Sequence, residues 1–139
     1  MIDSSCNLAV VDDEAHMRKA LVRLLSSHGC RVESYAGGFE LLAALQVIPH
    51  DCIVLDLHMP DLNGFDLLAV MQSRGLRVPV VAITGNDEAG LEQRVRALGA
   101  SSILLKPVDQ SALLSAIKEA IHAHSMLPPI GSVNQREQP

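Results

Sequence analysis

The stretch "VVDDEAHMRKAL", residues 10–21, sets two carboxylates, Asp12 and Asp13, directly after an apolar run. Adjacent like charges repel, and each resists ionisation if drawn into a low-dielectric site. The pair therefore reads either as the solvated start of a helix or as a holder of a cation. Three more polar residues close apolar runs in the same way: Asp56 in "CIVLD", Thr84 in "VVAITG" and Lys106 in "ILLKP". Carboxylates suit a hard, oxygen-seeking ion such as Mg²⁺, with Mn²⁺ as a substitute; Mg²⁺ takes one or two carboxylates and keeps several waters. With the charge so neutralised, one aspartate becomes a nucleophile toward a phosphoryl group. The lysine and the hydroxyl are then suited to hold the phosphoryl oxygens.

Residues this far apart meet only if the fold brings the ends of the runs together. Apolar runs and helical patterns alternate five times, with runs at Leu8–Val11, Arg31–Tyr35, Cys52–Leu55, Val80–Ile83 and Ile103–Leu105. Four are apolar throughout, as parallel strands covered on both faces should be. "RVESY" mixes polar and apolar residues, which suits an edge strand. Met17, Ala20, Leu21, Leu24 and Leu25 follow helical spacing, stopped by Gly29. Shorter helical segments are predicted at Phe39–Val47, Gly64–Arg74 and Glu88–Leu98. Leu113, Ala116, Ile117, Ala120 and Ile121 repeat the stripe in a last helix capped by Asp109. The expected fold class is α/β, a doubly wound five-stranded parallel sheet of (βα)5 type. Such sheets bind ligands at the carboxyl ends of their strands, where strand order reverses. In the common order 2-1-3-4-5 the first and third strands are neighbours, about 4.8 Å apart. Asp12, Asp13 and Asp56 then share one crevice.

Composition agrees with one folded domain over residues 1–124 and a tail or linker over 125–139, where "SMLPPIGSVNQREQP" loses periodicity. At 139 residues and 48% apolar the chain can bury a real core, but at 2% aromatic that core must be aliphatic. A formal net charge of −5 argues against a nucleic-acid contact by this chain. Cys6, Cys30 and Cys52 form an odd set with no metal-type spacing, so a reducing cytoplasm is the natural setting. No signal peptide is evident at the start. No apolar run reaches the roughly 20 residues of a membrane span.

The motifs "VVDDE", "VLDLHMPDLNGFDLL", "VVAITG" and "ILLKPV" resemble, in order, those of the response-regulator receiver domain of two-component phosphorelays. The resemblance runs over about residues 7–124, and its wording is most similar to receivers of the nitrogen-fixation regulator type. It implies a flavodoxin-like fold. It further implies that Asp56 accepts the phosphoryl group, and that Asp13 ligates the metal with Asp12 assisting through water. The backbone carbonyl of His58 matches the third protein ligand, Thr84 the switch hydroxyl, and Lys106 its ionic partner. The implied donor is a phosphohistidine on a sensor histidine kinase or phosphotransfer protein, with the receiver supplying the catalysis. The implied output surface is helix four, strand five and helix five, about residues 87–124, through which a homodimer could form. A cis Lys106–Pro107 bond is also expected from it. One position departs: where the family usually has Tyr or Phe, three residues before the lysine, stands Ile103. An aromatic switch cannot operate there, and Ile103 is expected to be a buried strand residue.

Plainer readings stand beside these. Asp12 and Asp13 alone are an ordinary helix start, Thr84 a turn cap, Lys106 a surface lysine and Pro107 a first-turn residue. The His58 imidazole reads as exposed rather than as a ligand. His16, His28, His50, His122 and His124 read as surface residues. Gly37–Gly38 reads as a flexible lead into the second helix, and Met59 and Met71 as core filler. Two rival functions also remain: an aspartyl-nucleophile phosphatase or phosphotransferase, which usually shows D-x-D near its first strand, and a degenerate, non-phosphorylated binding module.

Overall fold

The computed structural model describes residues 6–126. Five strands, β1 (Asn7–Val11), β2 (Arg31–Tyr35), β3 (Cys52–Asp56), β4 (Val80–Thr84) and β5 (Ser102–Leu105), alternate with five helices. The helices are α1 (Ala15–Ser26), α2 (Gly38–Leu45), α3 (Gly64–Ser73), α4 (Leu91–Ala97) and α5 (Gln110–Ser125). All strand pairs are parallel and the order is β2-β1-β3-β4-β5, the expected doubly wound sheet. No helix among the described residues is long and apolar enough to cross a membrane. Most of the tail expected over 125–139 lies outside the described residues.

The period-two geometry of a strand sorts the apolar residues into two cores. Ala9, Val11, Ile53, Leu55, Val80 and Ala82 face α2, α3 and α4, meeting Leu41, Leu67 and Val95. Leu8, Val10, Val54, Val81 and Ile83 face α1 and α5, meeting Leu21, Leu25, Leu113 and Ile117. Strands β1, β3 and β4 are therefore apolar on both faces and buried. Strand β5 lies at the sheet edge, as the expected order requires, and corrects only the expected burial on both faces: its apolar run Ile103–Leu105 is at most half-buried, with Leu105 48% exposed. Ile103 is likewise half-buried, packed against the α2–α3–α4 core. A continuous apolar run cannot by itself tell an edge strand from a central one.

Helix boundaries shift for local reasons. In α1 the inward stripe is Met17, Leu21, Leu24 and Leu25, while Ala20 is exposed. Helix α4 begins only at Leu91, because Gly90 before it adopts a left-handed φ of 79°. Asn63 and Asp109 cap α3 and α5 by accepting the backbone N–H of Asp66 and Ala112, at 2.9 and 2.8 Å. Gly38 serves close packing rather than flexibility, since a Cβ there would lie 2.9 Å from the Leu62 side chain. Met59 and Met71 are core residues, as read from the sequence.

Candidate functional site

Register places the polar residues. Val11 pairs with Leu55, Asp56 with Ile83, and Thr84 with Leu105, so the next residue of each outer strand falls at one sheet edge. Asp12 and Asp13 follow β1, Asp56 and Thr84 end β3 and β4, and Lys106 lies one residue beyond β5. Asp12, Asp56 and Thr84 are the buried polar side chains of the described core, whereas Asp13 is exposed. Lys106 Nζ stands 3.5 Å from Asp12 Oδ2 and 3.5 Å from Asp56 Oδ2. The peptide bond between Lys106 and Pro107 is cis, as expected. One oxygen from each of Asp12, Asp13 and Asp56 lies within 4.8 Å of the others. Three carboxylates at that spacing could hold a hard divalent cation.

Backbone amides hold the carboxylates in place. The Glu14 N–H donates to Asp12 Oδ1 at 2.9 Å, and the His58 N–H donates to Asp56 Oδ1 at 3.2 Å. The Arg18 guanidinium donates to the Asp12 carbonyl at 2.8 Å, tying α1 to the strand end. Gly64 tightens the loop that carries His58, because a Cβ there would meet Leu57 Cα at 2.7 Å.

Burial lifts the Asp56 carboxyl above the usual carboxylate range. The Asp12 charge raises it further, while the His58 amide and Lys106 pull against the shift. A folded-state pKa above the unfolded value means that ionisation opposes folding. The stability attached to Asp56 is then fully present below its ordinary value of about 4 and is lost as pH rises through the raised one. In metal-free buffer, urea unfolding of the wild type should show that loss, and Asp56→Asn should flatten it. Equal pH slopes for the two proteins would contradict this electrostatic reading.

Two contacts were not read from the sequence. His58 Nε2 lies 3.0 Å from Thr84 Oγ1, although the residue as a whole is exposed. His50 is not a simple surface residue either: it is half-buried, with Nε2 3.2 Å from the Tyr35 hydroxyl. Neither contact has a sequence signature, because each joins residues on separate loops or strands. Cys6, Cys30 and Cys52 are buried thiols, and burial pushes Cys52 up to about 12, which leaves it chemically inert.

A parallel five-stranded sheet with three aspartates, a threonine and a lysine at its carboxyl edge defines a phosphoryl-accepting signalling module. The chain belongs to the response regulator receiver domain family, whose model matches residues 8–118. Phosphorylation on aspartate is the family's general function, and its members generally bind Mg²⁺ at an acidic pocket and interact with histidine kinases or phosphotransfer proteins. The transcriptional regulatory protein FixJ of Azorhizobium caulinodans is 32% identical over 112 residues, covering 81% of this chain and 53% of that protein. FixJ of Bradyrhizobium diazoefficiens is 34% identical over 115 residues, covering 83% of this chain and 56% of that protein. The chain thus spans little more than half the length of these relatives. Among solved structures, FixJ-N superposes with a TM-score of 0.79 at 27% identity, covering 94% of this chain and 100% of that one. The chemotaxis protein CheY4 of Vibrio cholerae gives 0.76 at 30% identity, covering 83% of this chain and 98% of that one.

Proposed function

We propose that Asp56 is the phosphoacceptor and that residues 1–124 catalyse their own phosphorylation and dephosphorylation. The observation that carries this is the buried Asp56 carboxylate, paired with Lys106 and clustered with Asp12 and Asp13. A carboxylate oxygen of Asp56 attacks the phosphorus of a phosphohistidine on a sensor kinase or phosphotransfer protein. The N–P bond breaks, an acyl phosphate forms, and the departing imidazole nitrogen takes up a proton from solvent. Lys106 faces the transferred oxygens and Thr84 supplies a hydroxyl to one of them. Asp13, Asp12 through water, Asp56 and the His58 carbonyl would hold Mg²⁺ or Mn²⁺, which supplies charge neutralisation for the anionic donor. The negative net charge supports a chain without nucleic-acid contacts of its own, and the buried thiols support a cytoplasmic setting. The exposed Leu105 on β5 supports pairing of two copies through α4, β5 and α5, the surface whose shift would carry the signal. Residues 125–139 would then form a linker or tail.

Phosphotransfer from a radiolabelled phosphohistidine donor tests the reading. Label should pass to the chain up to one equivalent and stop. Steady turnover of a phosphomonoester far past one equivalent would favour an aspartyl phosphatase instead. Lys106→Ala should slow labelling about 100-fold, the loss typical of one removed oxyanion-stabilising group. Its Mg²⁺ binding, followed by calorimetry, should persist because the carboxylates remain; labelling at the wild-type rate would contradict the role of Lys106.

A further inference from the structure

The Thr84 hydroxyl is saturated in this arrangement. It donates to the Asn86 carbonyl at 3.2 Å and accepts the Asn86 N–H at 3.1 Å. A hydroxyl has one proton and two lone pairs, and its third partner is His58 Nε2 at 3.0 Å, which completes the set in either imidazole tautomer. The same imidazole meets the Phe65 ring edge-on, with centroids 6.3 Å apart and planes at 73°. On Phe65 sits the guanidinium of Arg94, 3.9 Å from the ring centroid. Four side chains on β4, the β3–α3 loop, α3 and α4 thus form one continuous contact path. Ile103, half-buried against the core, has no polar atom to offer Thr84.

We propose that His58 is a positioning residue. Its ring latches Thr84 in the resting arrangement and, through Phe65 and Arg94, couples that hydroxyl to α4. The proposal rests on the phosphoacceptor reading: a Thr84 that turns toward a phosphoryl oxygen must give up its present partners. Releasing the imidazole then changes the edge on which Phe65 rests and the seat of Arg94. The path supplies a link to α4 at the point where Ile103 cannot. A physical coupling claim needs an element with two arrangements that both ends bias, and here that element is the His58 ring.

Side-chain NMR on the full chain tests the latch without any phosphodonor. Three-bond couplings to the Thr84 methyl should report a single χ1 rotamer in the wild type. His58→Ala should give rotamer averaging, and His58→Gln, whose amide N–H reaches like Nε2, should restore the single rotamer. Phe65→Leu and Arg94→Ala should each displace the ring nitrogen signals of His58. With Mg²⁺ and beryllofluoride, amide shifts across residues 91–97 should shrink in both variants, while those at Asp56 remain. Unchanged Thr84 couplings in His58→Ala, or full α4 shifts in Phe65→Leu and Arg94→Ala, would overturn the proposal. A wild type without any beryllofluoride response at Asp56 would instead contradict the phosphoacceptor reading, and the resting couplings would still decide the latch.

Discussion

Withdrawing divalent metal with EDTA should slow labelling of the chain by acetyl phosphate about 100-fold or more. The cause is charge. Oxygens of Asp12, Asp13 and Asp56 lie within 4.8 Å of one another, and Lys106 pairs with Asp12 and Asp56. An anionic donor entering that cleft meets a net excess of negative charge. Each uncompensated pair at about 4 Å costs roughly 1 kcal/mol in water and about 4 kcal/mol at the effective dielectric of a protein surface. Two such pairs between those limits amount to about 3 kcal/mol in the barrier, or roughly 100-fold in rate. Time courses by intact-mass spectrometry, with saturating Mg²⁺ or with EDTA, give the ratio directly. Mn²⁺ should restore the rate. A rate indifferent to EDTA would remove the metal from the account.

Leu55→Ala should cost about 3 kcal/mol of folding stability, within the usual range for a leucine deleted from a closed core. Leu55 is fully buried in β3, between Val11 of β1 and Ala82 of β4, and lies one residue before Asp56. Its cavity would open in the layer that also holds Leu41, Leu67 and Val95, on three separate helices. Helix α2 also packs on β1 and β2, and α4 on β5, so these helices cannot close the space cheaply. The site should loosen with it, because Asp56 is carried on the same strand. Urea unfolding with a linear extrapolation measures the change. A loss below about 1 kcal/mol would mean that the core relaxes far more than this packing allows.

The central strands could be read from the sequence because burial on both faces leaves an unbroken apolar run. The candidate site could be placed with them, since Asp12, Asp56, Thr84 and Lys106 each close or directly follow an apolar run and Asp13 comes one residue after Asp12. What was lost depends on neighbours distant in sequence. Strand β5 has the composition of a central strand, and only its place at the sheet edge half-exposes Ile103 and Leu105. Gly38 looks like flexibility in a string of letters, yet the approach of Leu62, 24 residues on, dictates it. The His58–Thr84 contact joins residues 26 apart by way of a loop whose path no periodicity encodes. Helix α4 starts at Leu91 rather than Glu88 because Gly90 takes a left-handed backbone, a conformation that the residues around it do not announce.

The central claim is that Asp56 is the residue that takes the phosphoryl group. Intact-mass spectrometry of wild type and Asp56→Asn, each incubated with acetyl phosphate and Mg²⁺, tests it most directly. Asparagine keeps the shape of the side chain and relieves a buried charge, so the variant should fold. The wild type should gain the mass of one phosphoryl group and the variant none. Equal labelling of the two proteins would contradict the assignment.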